Sequence, residues 1–122
     1  MSDILKICDD IREIAYAVHR YFGQGHLEKV YENALVNRLT KARIQVDRQV
    51  RIKVRDEDGT VVGEYVADLM VNNVLLIELK AVDAICKVHT AQALGYLRAT
   101  GLKHALLINF GGPHFQIKKK VV

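Results

Sequence analysis

Three charged residues stand inside an otherwise apolar stretch, Tyr65-Val-Ala-Asp-Leu-Met-Val-Asn-Asn-Val-Leu-Leu-Ile-Glu-Leu-Lys80. They are Asp68, Glu78 and Lys80. Charges are rarely buried unless they are paired or bound to a metal. Two carboxylates about 4 Å apart repel by roughly 4 kcal/mol at an effective dielectric near 20. A cation between them reverses the sign of that interaction, and a hard divalent ion such as Mg²⁺ favours oxygen ligands of this type. The structural alternative is that Asp68 or Glu78 simply pairs with Lys80 at the end of a sheet, since ion pairs also occupy clefts.

The spacing sets a geometric condition on the metal reading. Glu78 and Lys80 are two apart on one strand and share a face. Asp68 joins them only if the hairpin register allows it. A strict two-residue loop at Asn72-Asn73 pairs Val71 with Val74 and sets Asp68 opposite Ile77, so Glu78 points the other way. A three-residue loop at 72–74 pairs Val71 with Leu75 and brings Asp68 opposite Glu78. The expectation is therefore a loop of other than two residues, or a bulge near Asp68, because bulges are common beside active sites.

Other elements must hold this hairpin. Residues 3–22 read as a helix, with Ile4, Ile7, Cys8, Ile11, Ile14, Ala15 and Val18 recurring at helical spacing. Ser2 or Asp3 can cap its start, and Gly23-Gln24-Gly25 stops it. A second helix covers about 27–42, with Leu27, Val30, Tyr31, Ala34, Leu35 and Leu39 as its apolar stripe. Glu28 borders that stripe in the first turn. There it either interacts with the helix dipole or reaches the same ion as Asp68 and Glu78. Residues 46–54 alternate, placing Val46, Val50, Ile52 and Val54 on one side and Asp47, Arg51, Lys53 and Arg55 on the other. Asp56-Glu-Asp-Gly59 is the turn into a strand that starts near Thr60. These strands and the central hairpin form an antiparallel meander.

A third helix is expected at about 84–100, ended by Gly101. His89, Gln92 and Tyr96 fall on one side of it. His104-Ala-Leu-Leu-Ile-Asn-Phe110 suits a buried strand. Phe115 to Val122 reads as an edge strand, whose lysines also discourage edge-to-edge aggregation.

The chain has 122 residues, half of them hydrophobic, which suits one domain with a real core. It lacks about 18 consecutive apolar residues, so no transmembrane helix is expected. The N-terminus lacks the basic start and long apolar run of a signal peptide. Cys8 and Cys86 form no CxxC pair and read as thiols rather than a zinc site or disulfide. A cytoplasmic location is the default reading. The net charge of +4 mildly favours an anionic partner. One proline, no low-complexity tract and no internal repeat argue against linkers.

With these residues in hand, Gly25-His-Leu-Glu28-Lys-Val-Tyr31 resembles the signature of the GxxExxY protein family. Asp68, Glu78-Leu-Lys80, Gln92 with Tyr96-Leu97, and Leu107-Ile-Asn-Phe-Gly111 match its later parts, so the resemblance covers nearly the whole chain. That family is placed in the PD-(D/E)XK nuclease superfamily. Ala67, not proline, precedes Asp68, a departure the superfamily tolerates. The resemblance implies a restriction-endonuclease-like core of helix, three antiparallel strands, helix and a further strand, with a central mixed sheet. The elements read from the residues independently give ααβββαββ, which fits an α/β domain with helices on both faces. The resemblance also implies Mg²⁺- or Mn²⁺-dependent hydrolysis of nucleic-acid phosphodiester bonds. Asp68 and Glu78 would hold the ion, with the Leu79 carbonyl and Glu28 as further ligands. Lys80 would orient the water or stabilise developing charge. Gln92 and Tyr96 would position the scissile phosphate or support the metal-bound water, and His89 could contribute. Lys87, Arg98, Lys118, Lys119 and Lys120 are candidates for nucleic-acid backbone contacts. The expected partner is nucleic acid, DNA before RNA, without a membrane; self-association is left open. The competing class is a non-catalytic nucleic-acid-binding or assembly module on the same fold.

Overall fold

The computed structural model describes residues 2–122. The elements are α1 (Ser2–Phe22), α2 (Glu28–Lys41), β1 (Val46–Arg55), β2 (Val61–Val71), β3 (Leu75–Lys80), α3 (Lys87–Thr100), β4 (His104–Asn109) and β5 (Gln116–Val121). This is the expected ααβββαββ order. The strands form one five-stranded sheet in the order β1-β2-β3-β4-β5. Only β3 and β4 run parallel. Parallel neighbours need a crossover, and α3 supplies it.

Helices cover both faces. On α1, Cys8, Ile11, Ala15 and Val18 recur at helical spacing and are buried. With Tyr31, Leu35 and Leu39 of α2 they pack on Leu69, Val71, Leu75, Ile77, Leu79, Leu106 and Ile108. Full burial of one such leucine contributes about 1.5–3 kcal/mol. On the other face, Tyr96 and Leu97 of α3 pack with Ile52, Ala67, Met70, Leu76 and Ala105. Asp3 lies in the first turn of α1; the side chain of Ser2, the other expected cap, lies outside the described residues.

The start of α2 is tied down by its own tyrosine. The Tyr31 hydroxyl donates to the Gly23 carbonyl at 2.6 Å and accepts from the His26 N–H at 3.2 Å. Its ring stacks on Phe110, with centroids 4.9 Å apart. The chain can turn back tightly there because Gly23 and Gly25 take φ of 67° and 105°, a region that suits glycine. This turn presents Glu28 at the first residue of α2. The start of α3 lies later than expected, at Lys87, after a cap in which His89 Nδ1 accepts from the Cys86 N–H at 3.1 Å.

The first strand departs from simple alternation. Val46 packs on the α1–α2 side, whereas Val50 and Ile52 pack on the α3 side, so the expected single apolar face is two half-faces. β2 changes sides in step. Leu69 and Val71 face α1 and α2, but Ala67 belongs to the α3 cluster and Tyr65 meets Tyr96. The flanking pairs Arg48↔Leu69 and Val50↔Ala67 place the switch at Gln49 and Asp68. Gln49 has φ of 50°, a left-handed conformation that costs a side-chain-bearing residue roughly 1–2 kcal/mol. β2 meets β3 only at residues 69–71, so Val61 to Val66 have β1 as their one strand neighbour.

Candidate active site

The hairpin register meets the condition set by the Asp68–Glu78 spacing. Val71 pairs with Leu75, Met70 with Leu76 and Leu69 with Ile77. The turn spans 72–74, with Asn72 and Asn73 at φ of 52° and 58° and the Val74 N–H bonded to the Val71 carbonyl at 3.1 Å. Asparagine tolerates that region better than most residues. The next position in register is Asp68 opposite Glu78. There the backbone ladder stops and the carboxylates take it over. The Asp68 N–H donates to Glu78 Oε1 at 3.2 Å, and the Leu79 N–H donates to Asp68 Oδ2 at 2.7 Å. A buried N–H without an acceptor is costly, so the carboxylates satisfy the backbone as the strands part.

This position strains both acids. Glu78 is only 4% exposed. Burial, and after it the charge of Asp68, push its pKa up to about 8. Asp68 is raised as well, by burial first, while the Leu79 N–H pulls it down. The proximity of the two carboxyls raises Glu78, and the Asp68 N–H bonded to it pulls the other way. Glu28 is raised by desolvation and then by Asp68, with Lys80 opposing. Tyr96 is pushed up to about 12 by burial, then by Glu78 and Asp68. Glu28, Asp68, Glu78, Lys80 and Tyr96 therefore share one electrostatic neighbourhood. Gln92 joins it through its Oε1, which accepts from Lys80 Nζ at 3.3 Å.

A proton held between two carboxyls relieves the same repulsion that a cation would. The donor set, the buried Glu78 carboxylate and the half-buried Asp68 carboxylate beside the Leu79 backbone, suits a hard divalent ion. Among the described residues no three His, Cys, Asp or Glu side chains form a ready-made ligand cluster. Glu28 stands on the exposed rim facing Asp68.

The loop after Lys80 is latched from β4. Asn109 is fully buried. Its Oδ1 accepts from the N–H groups of Val82 and Gly111, both at 3.0 Å, and its Nδ2 donates to the Val82 carbonyl at 2.9 Å. A Cβ on Gly111 would lie 2.3 Å from backbone atoms of Ala81 and Val82, so glycine alone permits this approach. The segment Leu107 to Gly111 thus holds the strand end that carries Lys80.

The expected backbone-contact residues are dispersed. Lys118, Lys119 and Lys120 pair with Leu107, Leu106 and Ala105. Leu106 faces α1 and Ala105 faces α3, so Lys119 lies on the opposite face from Lys118 and Lys120. Lys118 shares a groove with Lys87 at the start of α3. Arg98 is exposed on α3. His89 serves the helix cap.

Sequence reasoning missed Glu32, Arg48, Gln49 and Tyr65 as neighbours of the site. Glu32 is 3% exposed, and its carboxylate raises Asp68. It accepts from Arg48 Nε and Nη2 at 3.2 and 2.8 Å, from Gln49 Nε2 at 2.9 Å and from Lys29 at 3.2 Å. Arg48 also bonds Asn33. A signal existed: Arg48 stands in phase with Val46 and Val50, where an apolar residue was due.

Comparison with known proteins agrees with this geometry. The crystal structure of the protein SSO0001 is similar, with a TM-score of 0.56 and 13% identity over 76% of this chain and 48% of that one. The likeness concerns the fold, and the chain spans about half the length of that protein. No curated protein matches. A family profile matches residues 5–121, from the first helix to the last strand. The sheet, the parting hairpin with its paired carboxylates and this match agree: the chain belongs to the PD-(D/E)XK nuclease superfamily.

Proposed function

We propose that residues 1–122 form a single GxxExxY-type domain that hydrolyses nucleic-acid phosphodiester bonds with Mg²⁺ or Mn²⁺, acting in the cytoplasm on DNA before RNA. The observation that carries this reading is the carboxylate pair at the parting of β2 and β3, with Lys80 two residues on and held by Gln92. Asp68 and Glu78 would hold the ion, with the Leu79 carbonyl beside them and Glu28 supporting from the rim. When bound, such an ion acidifies water and offsets charge on the phosphate. Lys80 orients the attacking water and stabilises the charge that develops as the water–phosphorus bond forms and the bond to the leaving oxygen breaks. Gln92 fixes the Lys80 ammonium, and Tyr96 walls the site on the α3 side. Lys87, Arg98, Lys118 and Lys120 are suited to contacting phosphates along the strand.

The test is cleavage of single-stranded, duplex and branched DNA and RNA with Mn²⁺, with Lys80→Ala as the control. Wild type should cut at least one substrate, and the variant should bind Mn²⁺ but not cut. Binding without cleavage by wild type would favour the non-catalytic module. Full cleavage by Lys80→Ala would remove Lys80 from the reaction.

A further inference from the structure

Glu32 is a buried charge that the proposed chemistry does not use. Its two carboxylate oxygens are occupied by adjacent residues of β1. Oε2 accepts from Arg48, and Oε1 accepts from Gln49. Those residues sit where β1 changes sides, and Gln49 holds φ of 50°. Asp68 lies opposite this break, between the flanking pairs Arg48↔Leu69 and Val50↔Ala67. Asp68 is thus irregular on both edges, toward Gln49 on one side and toward the carboxylate-closed gap with β3 on the other.

The polar network has a local purpose beyond stability. Buried ion pairs are often replaceable by apolar residues of similar volume without loss of stability, and Glu32 neighbours Tyr31 and Leu35, which already anchor α2 in the core. The network does what an apolar side chain cannot. It grips both residues at the break and holds a side-chain-bearing residue in a conformation that glycine would adopt without help.

We infer that Glu32, through Arg48 and Gln49, is a positioning residue that sets the backbone break opposite Asp68 and so aims the Asp68 carboxylate. The inference rests on the proposed metal role of Asp68 for one of its two readouts. The other needs neither metal nor activity, because the Leu79 N–H is bonded to Asp68 Oδ2 and its exchange with solvent reports where that carboxylate sits.

The experiment compares wild type, Glu32→Gln and the double variant Glu32→Gln/Gln49→Gly. Hydrogen exchange at Leu79 is measured without metal, Mn²⁺ affinity by calorimetry, and global stability by urea. Glu32→Gln should lose protection at Leu79 without matching loss at core amides, and should bind Mn²⁺ roughly 10- to 100-fold more weakly, as outer partners of metal ligands do. Glycine at 49 should restore both, since it holds the break unaided. Unchanged Leu79 protection in folded Glu32→Gln, or no recovery in the double variant, overturns the inference. If wild type binds no Mn²⁺, the metal reading fails, while exchange at Leu79 still decides the positioning role. Should Glu32→Gln not fold, Gln49→Gly against Gln49→Val gives the same decision. Glycine should keep Leu79 protected and valine should lose it; equal behaviour overturns the inference.

Discussion

Glu78 binds its proton more tightly in the folded chain than in the unfolded one, since burial beside Asp68 lifts its pKa from 4.5 to about 8. A raised acid lends stability that is full below the unfolded value and lost as pH rises through the folded one. Urea unfolding with divalent ions chelated should therefore show stability falling between about pH 5 and pH 8, by on the order of 3 kcal/mol. Glu78→Gln keeps an acceptor for the Asp68 N–H, and its stability should fall much less over that window, with only the raised Asp68 and Glu28 left to contribute. A wild-type profile as shallow as the variant's would mean that Glu78 ionises normally. Glu28 behaves differently because it is exposed on the rim. Glu28→Gln should weaken Mn²⁺ binding by calorimetry with little change in urea midpoint. A lowered midpoint with unchanged affinity would reduce Glu28 to a helix-dipole role, worth about 0.3–1 kcal/mol.

The strand that carries three lysines divides them. Lys118 and Lys120 share the α3 side, while Lys119 lies across the sheet beside Cys8. Replacing Lys118 and Lys120 with Ala should reduce the salt dependence of nucleic-acid binding by roughly 0.9 in slope for each phosphate that these lysines neutralise. Lys119→Ala should leave the slope alone, and equal effects from all three would argue for a diffuse field. Elements were legible in the sequence to the extent that one period described them. The α1 stripe through Cys8, Ile11, Ala15 and Val18 and the continuous run of β4 appear as expected. The Asp68–Glu78 spacing excluded a strict two-residue loop, because side chains alternate; of the two remaining solutions, a longer loop or a bulge, the loop at 72–74 is the one adopted. β1 defeated the same logic. Its phase reverses at Gln49, and what holds the reversal is Glu32, distant in sequence and hidden beside Tyr31. The late start of α3 was hidden for a similar reason, since its cap is a Cys–His pair rather than a usual capping residue.

Across the whole molecule, the site lies where the sheet opens, with α2 supplying one wall and α3 the other. The same opening leaves β2 with a long margin. Of its eleven residues, only 69–71 have strand neighbours on both sides. From Val61 to Val66 one row of backbone donors and acceptors has no strand beside it, and Val61, Val62 and Val66 are 44–61% exposed. Proteins usually blunt such margins with lysine, proline or a bulge; here the only such device is the register shift that leaves Val62 unpaired between Val54↔Gly63 and Arg55↔Val61, and Gly63 and Glu64 are the only interruptions to apolar side chains before Ala67. The consequence concerns solubility. Concentrated protein should self-associate by strand addition along this margin, and light scattering should rise with concentration. Val62→Lys should suppress that rise while Mn²⁺ binding at the distant carboxylates stays as in wild type. Scattering that ignores the added lysine would place the sticky surface elsewhere. A sheet whose strands part at the paired carboxylates carries, on the same strand, a margin open to other chains.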